Sequence, residues 1–161
     1  WWKKDTHLDD LIKSKFLELH RQASNGELFE WRDTPLGSLA EVIVLDQFSR
    51  NIFRDTSRSF SFDGMAIVLA QFAIKNDFDK ELEPTQRGFL YMPFMHSESA
   101  IIHVQAKQLF SQPLMEANYE FELKHAAIIE KFGRYPHRNS ILGRKSTPEE
   151  LEFLKRSNSF F

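Results

Sequence analysis

The sequence has no cysteine, which removes disulfides, thiol nucleophiles, iron–sulfur clusters and thiolate zinc sites together. It also lacks a surplus of either charge. Lys+Arg total 21 against 23 Asp+Glu, a formal charge of −2, so broad coating of a phosphate backbone is disfavoured and nucleic acid is not the expected partner. Long apolar runs are missing too. The longest nearly unbroken one, Gly64–Ala70, falls far short of the ~20 residues that cross a bilayer, so no membrane span is expected. Glycine is sparse, at six residues, and no alternating stretch has hairpin turn chemistry around it, which argues against strands.

What the chain does have is apolar mass and helical punctuation. Its 161 residues are 42% hydrophobic, with 16 Phe and 3 Trp, enough for one aromatic core without crosslinks. Thr6 is the expected cap of a first helix through Leu8, Leu11, Ile12, Phe16 and Leu19, ended by Asn25-Gly26. Thr34-Pro35 opens a second, through Leu39, Val42, Ile43, Leu45 and Phe48. A third is expected from about Ser61 to Asn76, and a fourth from Pro84 that Pro93 should break or kink. Ser97 is the expected cap of a fifth, and a sixth runs from about Leu114 to a terminator at Gly133. Thr147-Pro148-Glu149-Glu150 combines cap, N1 proline and capping-box glutamate for the last. The expectation is a single all-α domain over residues 1–161, with antiparallel helical hairpins stacked in succession. With no export signal in view, a cytoplasmic location is the default.

Polar residues gather where helices end. Asp46, Arg50 and Arg54 stand at i, i+4 and i+8, one face if the helix persists. Between Lys131 and Pro148 there are five Lys/Arg, one His and no acid. Such a loop suits an anion: guanidinium forks grip carboxylate or phosphate, amides add direction, and a histidine titrates near neutrality. The expected ligand residues are Arg50, Asn51, Arg54, Arg134, His137, Arg138, Asn139 and Arg144. The competing reading is that these arginines lock onto Asp46, Asp63 or Glu98 and orient helices with no guest. In the segment Met92–Glu98, His96 and Glu98 flank a helix start and, with His137, are candidate acid–base groups. With His103 they do not make a metal-ligand spacing, so no metal is expected. His103 and His125 fall inside expected helices as core or surface residues. The P-loop, GxSxG and GxGxxG patterns are all absent, and no cofactor is implied.

Three ordered motifs carry a resemblance: Leu45-Asp46-Gln47-Phe48-Ser49-Arg50-Asn51, Tyr91 through Glu98, and Phe132 through Asn139 followed by Leu142-Gly143-Arg144 and Ser146–Glu150. Over nearly its whole length the chain resembles the bacterial domain-of-unknown-function family 924. That resemblance implies a tetratricopeptide-like α-α superhelix and supplies no activity. It also implies an aromatic-rich segment before Trp1, missing here. Ser49 stands where the family commonly has proline, and Asp55 where glycine is common. The leading functional expectation is a binding module holding an anionic small molecule or acidic peptide in an Arg/His groove. The alternative is an enzyme in which His96, Glu98 and His137 move protons and the arginines stabilise negative charge.

Overall fold

The computed structural model describes residues 5–155; the parts of the single-domain expectation at 1–4 and 156–161, Trp1 included, lie outside the described residues. The architecture is all-α, with no strand among the described residues. The helices are α1 (Thr6–Ser24), α2 (Pro35–Ile43), α3 (Ser49–Ile52), α4 (Asp63–Lys75), α5 (Pro84–Met95), α6 (Ala100–Phe110), α7 (Glu116–Phe132) and α8 (Pro148–Leu154). Short 3₁₀ turns occupy Phe29–Asp33, Ser57–Phe60, Phe78–Glu81 and Pro136–Arg138. No described helix is long and apolar enough to cross a membrane.

Local chemistry explains most boundaries. The Thr34 side chain accepts the Gly37 N–H ahead of Pro35, as the sequence predicts. At α8, Thr147 and Glu150 exchange side-chain-to-backbone bonds in a capping box. Gly133 ends α7 in the left-handed region at φ 69°, where a side chain would be strained.

Several starts differ from expectation. Asp5, not Thr6, caps α1 by accepting from the N–H groups of His7 and Leu8, since its carboxylate reaches two orphan donors and also meets the helix dipole. The Ser61 region forms a 3₁₀ turn, and α4 opens only at Asp63, with no side-chain cap. Ser97 caps no helix; its Oγ accepts the Ser99 N–H inside a turn, and α6 begins at Ala100. Leu114 sits at φ 68°, so α7 waits until Glu116. Pro93 does not end α5. The His96 N–H still bonds to Met92 O at 3.0 Å, and Leu90, Tyr91 and Phe94 on either side are buried. Burial of that aromatic stretch outweighs the one backbone bond that proline forfeits.

Neighbouring helices pack as hairpins through short connections: α5 on α6, α6 on α7, and α2 against both α4 and α5. The main core joins Leu39, Val42 and Leu45 to Ala66, Ala70, Leu90, Tyr91, Phe94 and Phe110. Between α2 and α3, residues Val44–Phe48 form a π-helical turn, and all but Phe48 are buried. The wider turn brings two successive polar residues, Asp46 and Gln47, into the interior. π turns of this kind recur at functional sites.

Candidate functional site

Ser49 and Asp55 each have a visible local role. The Ser49 hydroxyl donates to Leu45 O at 2.5 Å and lies 2.7 Å from His20 Nε2, tying α3 to α1. Asp55 adopts φ 61°, the left-handed conformation in which glycine is freer than an acid.

Asp46 is fully buried and has three side-chain partners. Its Oδ1 lies 2.8 Å from His96 Nδ1 and 3.2 Å from Arg50 Nη1, and its Oδ2 accepts from Gln47 Nε2 at 2.5 Å. Burial alone would raise this carboxyl. The Arg50 charge, then His96 and Gln47, more than offset that and hold it well below the usual carboxylate range. His96 moves downward, because burial and the Arg50 charge disfavour its cation more than Asp46 favours it. Neutral His96 therefore donates Nδ1–H to an ionised Asp46 and carries its lone pair on Nε2.

Around this pair the arginines are matched with acids. Arg50 grips both oxygens of Asp63 at 3.0 and 3.1 Å. Arg138, 6% exposed, donates to Asp63 at 3.2 Å and to His96 O at 3.0 Å. Its guanidinium stacks on the rings of Phe60 and Tyr135, 4.5 and 4.7 Å from their centroids. Arg144 forks onto Glu98 at 2.6 and 2.8 Å, and Glu98 also accepts the Tyr135 N–H at 2.7 Å. Burial pushes the Glu98 carboxyl up; Arg144 and that N–H outweigh it and leave the group lowered. Asn139 holds Arg144 through Oδ1 at 2.9 Å.

These groups border a cleft of about 380 Å³ between the start of α4 and the α5–α6 turn. Of the expected residues, His96, Glu98 and Arg138 line it, together with Asp63, Gly64 and Phe60. Arg50 and Arg144 stand behind it, reaching it through Asp63 and Glu98. The others lie elsewhere. Because α3 ends at Ile52, Arg54 leaves the face of Asp46 and Arg50 and pairs with Asp9, which also accepts from Asn51 at 2.8 Å. Arg134 forks onto Glu150 at 2.7 and 2.9 Å and so pins α8. His137 packs beside Tyr135, ring centroids 5.5 Å apart, and is not among the cleft's lining residues; burial, then Arg138, depress it to about 4. His103 turns away from His96 and Glu98 to Glu122, so the three share no metal position.

Four of the five cations in the acid-free segment from Lys131 are thus paired with acids from outside it: Lys131 with Glu149, Arg134 with Glu150, Arg138 with Asp63 and Arg144 with Glu98. Sequence reasoning missed Asp9, Gln47, Tyr135 and the His103–Glu122 pair. Asp9 does leave a trace, an acid lying between the helically spaced Leu8 and Ile12. For Glu122 no local signal exists, since its partner is 19 residues away.

The family model described as "Bacterial protein of unknown function (DUF924)" matches residues 1–158. Among solved structures, a protein of unknown function from Agrobacterium tumefaciens, ATU0120, is similar at a TM-score of 0.92 and 37% identity. The match covers 96% of this chain and 88% of that one. Comparison with curated proteins gives no match. Motif order, all-helical fold and family match coincide over nearly the full length, and the chain belongs to the bacterial family of unknown function DUF924.

Proposed function

We propose that the cleft holds a small anionic molecule and that His96 exchanges a proton with it. The carrying observation is the Asp46–His96 pair. Asp46 occupies Nδ1 at 2.8 Å, and Nε2 accepts no hydrogen bond from a described residue, although the ring lines the cleft. An anion bound beside Nε2 favours the imidazolium, so binding draws a proton onto His96.

Unused donors point to the same charge. Both oxygens of Asp63 and of Glu98 already accept from guanidinium groups. Arg138, by contrast, keeps a buried Nε–H with no partner among the described residues, and α4 begins beside the cleft with no side-chain cap. The cleft therefore asks for acceptors. A small acid or phosphate meets that demand, and an acidic peptide end does so by the same chemistry. Stacking of the hairpins in a tetratricopeptide-like array and a cytoplasmic location belong to the same proposal.

Inorganic phosphate and phenylacetate are suitable probes, read by thermal shift and by the ring resonances of His96. The expected result is a raised melting temperature with either anion and an affinity that grows as pH falls below 6.5, the ordinary histidine value. Arg138→Met and His96→Gln should abolish both effects. Silence of the wild-type His96 resonances with both probes would refute the site.

A second reading has one observation in its favour: a carboxylate orienting a neutral imidazole is also the arrangement of a general base. On that reading His96 removes a proton from a bound substrate while Arg138 stabilises the charge that develops. Turnover lost in His96→Gln, with no more than the small loss of stability that one hydrogen bond accounts for, would support it.

A further inference from the structure

The turn between α5 and α6 carries both His96 and Glu98, and the four successive residues 95–98 are tied to α6 and to the loop after α7. Met95 O accepts from the Tyr135 hydroxyl at 2.6 Å, and His96 O from Arg138 at 3.0 Å. Ser97 O lies 2.9 Å from His103 Nε2, and the Glu98 carboxylate accepts the Tyr135 N–H at 2.7 Å. Three of these four ties come from the loop after α7. The fourth comes from a histidine, 2% exposed, whose other nitrogen sits 2.7 Å from Glu122 Oε1.

That contact fixes where protons are. A carbonyl oxygen only accepts, so His103 must carry a hydrogen on Nε2 to bond Ser97 O. One more proton lies between Nδ1 and Oε1. The second oxygen of Glu122 is buried without a partner among the described residues, on a residue with no exposed surface. An ionised carboxylate with a bare oxygen in that setting pays the desolvation penalty of an unpaired charge; a carboxylic acid avoids most of it. We propose that Glu122 is held as the neutral acid, donates to His103 Nδ1, and with His103 acts as a positioning pair that aims the His96–Glu98 turn into the cleft. This inference rests on the reading of His96 given above.

The surroundings agree. Burial is the largest influence on Glu122 and raises it. The groups facing the pair are Lys107 from α6, His125 from α7 and Tyr135 from the following loop. Lys107 spends its charge on Glu130 at 2.7 Å, and His125 is depressed to about 3, chiefly by burial, so it brings no charge near pH 7. The Tyr135 hydroxyl, 3.2 Å from His103 Nε2, already donates to Met95 O and so can only accept there. His103 and the Lys107 charge pull Glu122 the other way, but burial outweighs them.

Two measurements test the pair, both without phosphate. Isotope-edited infrared spectra at pH 7 should contain the C=O stretch of a buried carboxylic acid that disappears in Glu122→Gln. Nitrogen-15 spectra should show His103 protonated on Nε2 alone, and the His96 titration should be unchanged in Glu122→Gln, whose amide N–H replaces the acid as donor to Nδ1. In Glu122→Ala and His103→Phe the His96 titration should move toward the ordinary histidine value, because the turn is no longer held. Absence of the acid band, or a His96 titration in Glu122→Gln displaced as far as in Glu122→Ala, would overturn the proposal. So would a wild-type titration in His103→Phe. Should the substitutions at Glu122 and His103 prevent folding, the wild-type infrared band under pH titration and the His103 nitrogen shifts decide alone. Failure of phosphate to move the wild-type His96 resonances would instead remove the anion site, and none of these readouts depends on phosphate.

Discussion

Asp46 and His96, fifty residues apart in the chain, meet at 2.8 Å across the α2–α3 and α5–α6 junctions. The pair is asymmetric: Asp46 also balances Arg50, whereas among the described residues His96 has only Asp46 as a side-chain partner. Asp46→Asn should therefore cost about 3 kcal/mol, the lower end for breaking a buried charge pair, because Arg50 keeps Asp63. His96→Gln should cost only about 1–2 kcal/mol, one hydrogen bond to a charged group. Urea unfolding with an unchanged slope measures both. A larger loss from His96→Gln would mean that the histidine, not the carboxylate, holds these junctions together.

Arg50 and Arg138 share Asp63, yet their removal should not be equivalent. Arg50→Met strips two acids, one of them the inaccessible Asp46, and should cost about 3–5 kcal/mol. Arg138→Met leaves Asp63 on Arg50 and puts an apolar side chain between Phe60 and Tyr135; about 1–3 kcal/mol is expected. Arg138→Lys should be no milder than Arg138→Met, since an ammonium cannot stack on both rings and reach Asp63 and His96 O together. Equilibrium unfolding of the three variants gives the order, and Arg138→Met emerging as the most damaging would contradict it.

The sequence reveals those features whose causes lie within about one helical turn. Thr34-Pro35, Gly133 and Thr147–Glu150 act on backbone groups three or four residues away, and each stands where the sequence places it. The π turn at Val44–Phe48 leaves no such mark, because its residues would serve an ordinary α-turn equally well. Pro93 misleads for a related reason: its local cost is visible, but the burial of Tyr91 and Phe94 that offsets it is tertiary. The cleft is legible in part. His96, Glu98 and Arg138 declare themselves as polar residues at helix ends. Their charge balance does not, because Arg138 finds Asp63 75 residues away and Arg144 finds Glu98 46 residues away. A loop that reads as positive has four of its five cations paired with acids once folded.

Acid should unfold the protein in two overlapping stages. His20 and His137 are depressed to about 4 and His125 to about 3, each chiefly by burial, against an ordinary value of 6.5. Between 6.5 and those values the unfolded chain binds more protons than the folded one, so stability falls as pH falls through that window. Glu150 is lowered to about 2 from 4.5, first by its bonds from Arg134. Its contribution is complete above 4.5 and drains away toward pH 2. Glu122, raised by burial, keeps one extra proton in the folded state above 4.5 and works the other way, but three rings outnumber it, so the urea midpoint should decline from 6.5 to 4 and continue to decline below. His20→Asn and His137→Asn should each flatten the upper stage. A midpoint independent of pH from 7 to 5 would mean these rings already carry protons in the folded state.

Gly64 offers a way to separate stability from binding. It lies in the first turn of α4 and lines the cleft, and a Cβ placed there meets no atom within 4 Å. Gly64→Ala should thus stabilise the protein by about 0.5 kcal/mol, through the lower backbone entropy of alanine in a helix. The added methyl group intrudes on space beside the uncapped α4 start, so the thermal shift produced by phosphate should shrink even as the melting temperature of the free protein rises. Gly64→Leu extends into the cleft and should eliminate the phosphate response altogether. The opposed signs are what give the test its force, because a general loss of structure would lower both quantities. If Gly64→Leu responded to phosphate as the wild type does, the anion would have to bind somewhere other than between α4 and the α5–α6 turn.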